Sequence, residues 1–187
     1  MGPRPRQAVL AMMQQGRRAG APVSLDANFR RKLGSVSDLV AMFHALCPLA
    51  DEILLGWGEA SLLAANDSED AIRSLAVSLQ RPCVVVKRPT GGAICLESGR
   101  WLEHAVAPVT VVDPIGGGDG FAVGFLHERL RGSSTTAALA SGTAIAARVV
   151  ARRGDNEGLP YAAELEAADD GLPRAADFDG AHVGVVR

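Results

Sequence analysis

Three consecutive glycines, Gly116, Gly117 and Gly118, are followed at once by Asp119 and then by an apolar stretch beginning at Phe121. Glycine lets backbone N–H groups turn toward an anion with no Cβ in the way. A helix starting there adds unsatisfied donors and the positive end of its dipole, so the bend suits a phosphate. A carboxylate beside an anion is repelled unless it serves as a base, taking the proton from an attacking hydroxyl. Phosphoryl transfer is mostly positioning and charge stabilisation, so one base and one anion cradle are most of what it requires. The plainer alternative is a glycine-rich helix start with an aspartate as its N-cap. Two better-known glycine signatures are absent. There is no GxxxxGK[ST], and Phe121 stands where GxGxxG needs its last glycine.

Other chemistries find little support. Cys47, Cys83 and Cys95 form no CxxC and leave an odd count, which fits a reduced cytoplasmic protein better than a disulfide-stapled one. The four histidines are isolated, without metal-ligand spacing. No GxSxG or nucleophilic Cys–His spacing points to acyl transfer. The formal net charge of -2 exerts no general pull on nucleic acid or acidic membranes. Seven of the 19 basic residues fall within the first 32, spread along the chain as a solvated face. No apolar run is long enough to span a bilayer, and no signal-peptide core is seen.

The positioning elements follow from periodicity. Gln7–Ala19 reads as a helix stopped by Gly20, and Pro22–Asp26 as a short buried strand. Ser37–Leu46 is helical, Glu52–Leu55 a strand, and Glu59–Leu63 helical again. Asp67 and Ser68 offer an N-cap to a helix carrying Ile72, Leu75, Ala76 and Leu79, and Cys83–Lys87 is a strand apolar enough for burial on both faces. Strand–helix–strand alternation is the pattern of a parallel α/β sheet. Ala93–Glu97 and Trp101–Val106, joined by Ser98-Gly99-Arg100, read as a hairpin. Phe121–Leu130 and Thr135–Ala151 are expected to be long helices packed against the sheet, and the segment after Gly154 a loop. At 187 residues with 48% hydrophobic content the chain suits one domain with a sizeable core.

Asp113-Pro-Ile-Gly-Gly-Gly-Asp-Gly-Phe-Ala-Val-Gly-Phe125 resembles the second signature of the ribokinase-like (PfkB-type) sugar kinases, D-[TP]-x-G-[AG]-G-D-x-F-x-x-G. It departs from the commonest form at Gly117 and Gly120, where alanine is usual. The resemblance implies that Asp119 is the catalytic base and touches the sugar. It makes the amides of Gly116, Gly117 and Gly118 the anion hole, and gives Asp113 a part in holding a monovalent cation such as potassium. Ser24-Leu-Asp-Ala-Asn-Phe-Arg30 resembles the D-x-N-x-R of the 2-keto-3-deoxygluconate kinase branch. That places Asn28 near nucleotide phosphates and Arg30 on the carboxylate of a sugar acid, which a guanidinium grips as a fork.

Leu54-Leu-Gly-Trp-Gly-Glu59 is similar to the family's N-x-x-E region, with Gly56 in place of Asn, and implies that Glu59 arranges magnesium and phosphate indirectly. Lys87-Arg-Pro-Thr-Gly-Gly-Ala93 matches the nucleotide loop K-x-G-x-x-G in part, placing Lys87 and Gly92 near the nucleotide with Gly116 and Gly118. Pro89 replaces its first glycine and removes a donor. Arg153-Gly-Asp-Asn-Glu-Gly-Leu-Pro160 resembles the G-D-x-E-G-L-P run of the keto-deoxygluconate kinases.

Together these imply a three-layer α/β fold with a mostly parallel sheet flanked by helices, without the family's first strands and β lid. Residues 1–160 correspond to the C-terminal, nucleotide-binding part of the family domain, and 161–187 to an irregular tail. The activity expected is ATP- and Mg²⁺-dependent phosphorylation of a sugar or sugar acid. The alternative is a truncated, inactive fragment that binds nucleotide or a partner chain. A homodimer or a complementing N-terminal half is the expected protein partner, with neither nucleic acid nor membrane involved.

Overall fold

The short apolar runs become strands because each is bracketed by residues that stop it and alternates its side chains between two faces. The computed structural model describes residues 3–106, 109–154 and 157–161. The chain divides into two compact units. The first holds the described residues up to Pro89 together with Ile94–Leu102, and the second holds Thr90–Ala93 and the described residues from Glu103 onward. Of the segment expected to be an irregular tail, 161–187, all but Tyr161 lies outside the described residues.

Up to the end of the sheet the order is α1 (Pro3–Arg18), β1 (Ser24–Asp26), α2 (Val36–Leu46), β2 (Glu52–Gly56), α3 (Trp57–Ala64), α4 (Glu69–Ser78), β3 (Cys83–Lys87), β4 (Ala93–Glu97) and β5 (Arg100–His104), with two short 3₁₀ turns. The five strands lie side by side in chain order. β1, β2 and β3 are parallel, with Asp26 opposite Leu54 and Gly56 opposite Lys87. The Ser98 amide donates to Pro82 O, which sets the end of β4 beside the start of β3 and makes the sheet mixed. Ser98 and Gly99 both have positive φ, the left-handed pair that a tight hairpin turn requires.

Ile53, Leu55, Val84, Val86, Ile94 and Leu96 share one face of the sheet, and Phe43 and Leu46 of α2, Ile72 and Ala76 of α4 and Met13 of α1 pack into that cluster. Leu54 and Val85, on the opposite face, are equally buried. β2, β3 and β4 are therefore dry on both sides, as their unbroken apolar runs require, whereas β1, expected to be buried, is partly exposed, because it has a hydrogen-bonded neighbour strand on one side only. Each such buried side chain contributes about 1.5–3 kcal/mol.

The second unit holds α5 (Gly117–Leu130) and α6 (Thr135–Val150), which pack against each other. They cross where Gly124 meets Gly142. A β-carbon on Gly124 would lie 2.7 Å from Ser141 O, so the backbones touch because neither helix presents a side chain there. After α5, Gly132 at φ 77° closes a left-handed cap. Its amide bonds Arg129 O, and Ser133 N–H bonds Glu128 O.

α1 and α5 start furthest ahead of what their apolar periodicity shows. α1 begins at Pro3 rather than Gln7, since prolines are tolerated in a first turn, where no N–H is needed. α5 begins at Gly117 rather than Phe121, its first turn consisting of three glycines and one aspartate with no apolar residue to reveal it.

Candidate active site

Helix N-termini differ in how their free amides are met. Ser35 accepts from Asp38 N at the start of α2, Ser68 from Ala71 N at α4, and Ser134 from Ala137 N at α6. At α3 the Glu59 carboxylate reaches back to the Gly56 amide at 2.7 Å. α5 has no such device. Its N-cap is Gly116, at φ 80°, and no side chain caps it. The first helical bond runs from Gly120 N to Gly116 O at 2.8 Å, and Gly117 N makes a long 3.4 Å bond to Pro114 O. Among the described residues, no acceptor takes the amides of Gly116, Gly118 or Asp119.

Asp119 is therefore not the N-cap. It sits two residues inside the helix, exposed, with no described residue bonded to its carboxylate. Gly116 needs a left-handed backbone that an L side chain rarely adopts. Gly117 is buried, and Gly118 is exposed beside Asp119. Asp113 fixes the approach to this bend. Its Oδ1 accepts from Ile115 N at 3.0 Å and its Oδ2 from Gly154 N at 3.3 Å. The amides of Val112 and Asp113 both donate to Val150 O, tying the segment to the end of α6. The structure thus gathers Asp113, Gly116, Gly117, Gly118 and Asp119 into one bend with donors and a carboxylate facing outward. Such a bend can hold an anion and accept a proton.

Gly92 belongs to the same unit. It has φ 81°, and a β-carbon there would stand 2.2 Å from His104 O, so the residue is required by backbone packing alone. Burial holds the half-buried His104 imidazole below the usual histidine range.

The first unit carries the remaining sequence-predicted residues, at the carboxyl ends of its parallel strands. Open α/β sheets bind ligands there. Asn28 and Arg30 follow β1, both exposed, and the Arg30 guanidinium bonds to no described residue. Glu59 accepts from Phe29 N at 2.6 Å through Oε1 and from Gly56 N through Oε2. Both of its oxygens thus serve backbone amides. Lys87 Nζ is paired with Asp26 Oδ2 at 2.9 Å, with the two side chains 15% and 23% exposed. Asp26 escaped the sequence reading as a site residue. Its signal was its place as the first residue of the D-x-N-x-R run, to which no role was given. Among the described residues, no group of three or more His, Cys, Asp or Glu could hold a metal ion.

The profile of the pfkB family carbohydrate kinases matches residues 2–162. The chain is 34% identical to a 2-dehydro-3-deoxygluconokinase of Bacillus subtilis over 159 residues, covering 82% of this chain and 48% of that protein. It is 32% identical to a 2-dehydro-3-deoxygalactonokinase of Haloferax volcanii over 144 residues, covering 76% and 45%. Among solved structures, a putative ribokinase II of E. coli in complex with ATP and Mg²⁺ superposes with a TM-score of 0.75 at 28% identity, covering 87% of this chain and 53% of that one. The ribokinase-like α/β fold expected from the glycine-aspartate signature is thereby borne out. The chain spans about half the length of the curated relatives it matches.

Proposed function

Because the chain belongs to the PfkB family of carbohydrate kinases, we propose that it takes part in ATP-dependent phosphorylation of a hydroxyl on a 2-keto-3-deoxy sugar acid. The observation that carries this reading is the uncapped start of α5, where the Gly116 and Gly118 amides stand open beside the exposed Asp119. In the reaction the Asp119 carboxylate accepts the hydroxyl proton as the hydroxyl oxygen bonds to the γ-phosphorus. The bond from that phosphorus to the bridging oxygen breaks, and ADP leaves with its electron pair. The glycine amides and the positive end of the α5 dipole stabilise the charge on the moving phosphoryl group.

ATP with Mg²⁺ is the donor in this reading, supported by the E. coli relative crystallised with both. The open amides fit a polyphosphate. In this reading magnesium is held mainly by phosphate oxygens and water, the usual arrangement for this ion. Magnesium would offset negative charge on the phosphates. Arg30, whose guanidinium bonds to no described residue, suits the carboxylate of a sugar acid, in keeping with the names of the two curated relatives.

Titration with MgATP followed by amide NMR tests the reading. The largest shifts are expected at Gly116 and Gly118, and their absence would remove the anion hole. Coupled-assay turnover with 2-keto-3-deoxygluconate should fall by about 10²–10⁴ in Asp119→Asn, the usual contribution of a general base, with ATP affinity retained. ATP binding at the bend with no turnover in the unmodified chain would leave the nucleotide-binding role alone, in line with its covering half of its relatives.

A further inference from the structure

We propose that Glu59 is the positioning residue for Asn28 and Arg30, acting as a two-armed clamp that sets the loop after β1. For the ligand this inference rests on the sugar-acid reading above. Ala27 N–H still donates to Leu54 O at 3.1 Å, extending the β1–β2 ladder by one residue. Asn28 then turns into the left-handed region at φ 40°, which asparagine tolerates better than most residues but not without strain. Phe29 comes next, its amide on Glu59 Oε1 at 2.6 Å and its ring edge-on to Phe43 with centroids 6.1 Å apart.

Anchoring Phe29 by both its amide and its ring leaves its neighbours Asn28 and Arg30 exposed. The second arm, Glu59 Oε2 to Gly56 N, fixes the carboxylate itself to the start of α3. Glycine at position 56 has no side chain to complete a reciprocal cap, so past the Ala27–Leu54 bond the carboxylate is what joins the Phe29 amide to the end of β2. A carboxylate suits this duty because it presents two acceptor oxygens and no donor. The carboxamide of glutamine presents one oxygen and an NH₂ that would face an N–H. Charge at this position therefore serves two amides of the fold.

The test uses the intact chain and Glu59→Gln. Hydrogen exchange read by NMR should show the Phe29 amide losing protection by about tenfold or more, the scale of a lost hydrogen bond to a charged group, with Leu54 and Val85 unchanged. Calorimetry with 2-keto-3-deoxygluconate should show affinity falling by a similar factor, while ATP affinity and its dependence on Mg²⁺ stay as they were. Unchanged Phe29 protection would overturn the clamp. A shifted Mg²⁺ dependence with sugar-acid affinity intact would overturn it too, and would place Glu59 in magnesium binding. If the unmodified chain does not bind the sugar acid, the substrate reading fails, and amide exchange still decides the clamp. Should Glu59→Gln not fold, Glu59→Asp keeps the charge on a stem one methylene shorter. It should deprotect Phe29 while Gly56 stays protected, and protection of both would count against the proposal.

Discussion

Val150, the last residue of α6, fills the space that a side chain on Gly117 would need: a β-carbon there would lie 2.6 Å from Val150 Cγ1. Val149 does the same for Gly120, whose β-carbon would stand 3.0 Å from Val149 Cγ2. These are the two positions at which the signature departs from the family's usual alanines. In this chain the valines at the end of α6 take up that volume. Gly117→Ala is expected to destabilise by about 1–3 kcal/mol, the usual cost of overpacking. Adding Val150→Ala should recover much of the loss, because residues in contact couple. Urea unfolding of the two single variants and the double variant checks this, and simple additivity would show that the two sites do not share the space.

At the crossing of α5 and α6 the neighbours are backbone atoms, which cannot swing aside. A β-carbon on Gly124 would sit 2.8 Å from Gly142 Cα. Gly124→Ala gains helix propensity of about 1 kcal/mol in isolation. The clash is expected to outweigh that gain and leave a net destabilisation of about 1–3 kcal/mol. A higher melting temperature for the variant would refute the close approach.

The Asp26–Lys87 ion pair is better shielded than the Arg17–Asp51 pair, whose side chains are 43% and 38% exposed. Asp26→Asn, which leaves a part-buried ammonium without its carboxylate, should cost about 1–3 kcal/mol. Asp51→Asn should cost less than about 1 kcal/mol through its ion pair, although Asp51 also accepts the Val23 amide. Repeating both in high salt separates them. The exposed pair should lose most of its effect and the shielded one little.

His104 gives the fold a pH dependence on the acid side of neutrality. Burial lowers its folded pKa below the usual 6.5. Between those two values the unfolded chain binds a proton that the folded chain does not. Stability therefore falls as the pH drops through that window, and this group contributes no pH dependence above it. Thermal unfolding from pH 7.5 down to 5 should show the loss, and His104→Asn should flatten that part of the curve. An identical curve for the variant would assign the dependence to other groups.

The sequence by itself determined the elements whose signal is local. The run Cys83–Lys87 had to be a strand buried on both faces, the Asp67-Ser68 pair marked the start of α4, and Ser98-Gly99 closed the expected hairpin. The glycine-aspartate order carried the family. Tertiary structure alone decided what depends on neighbours distant in sequence. It showed that Glu59 serves two amides, one of them thirty residues away, and that Lys87 is paired across the sheet with Asp26. It also put Asp119 inside the first turn of α5 instead of at its cap. Periodicity records which face of an element is buried. The partner of a charged side chain is settled only when separate strands bring their carboxyl ends together.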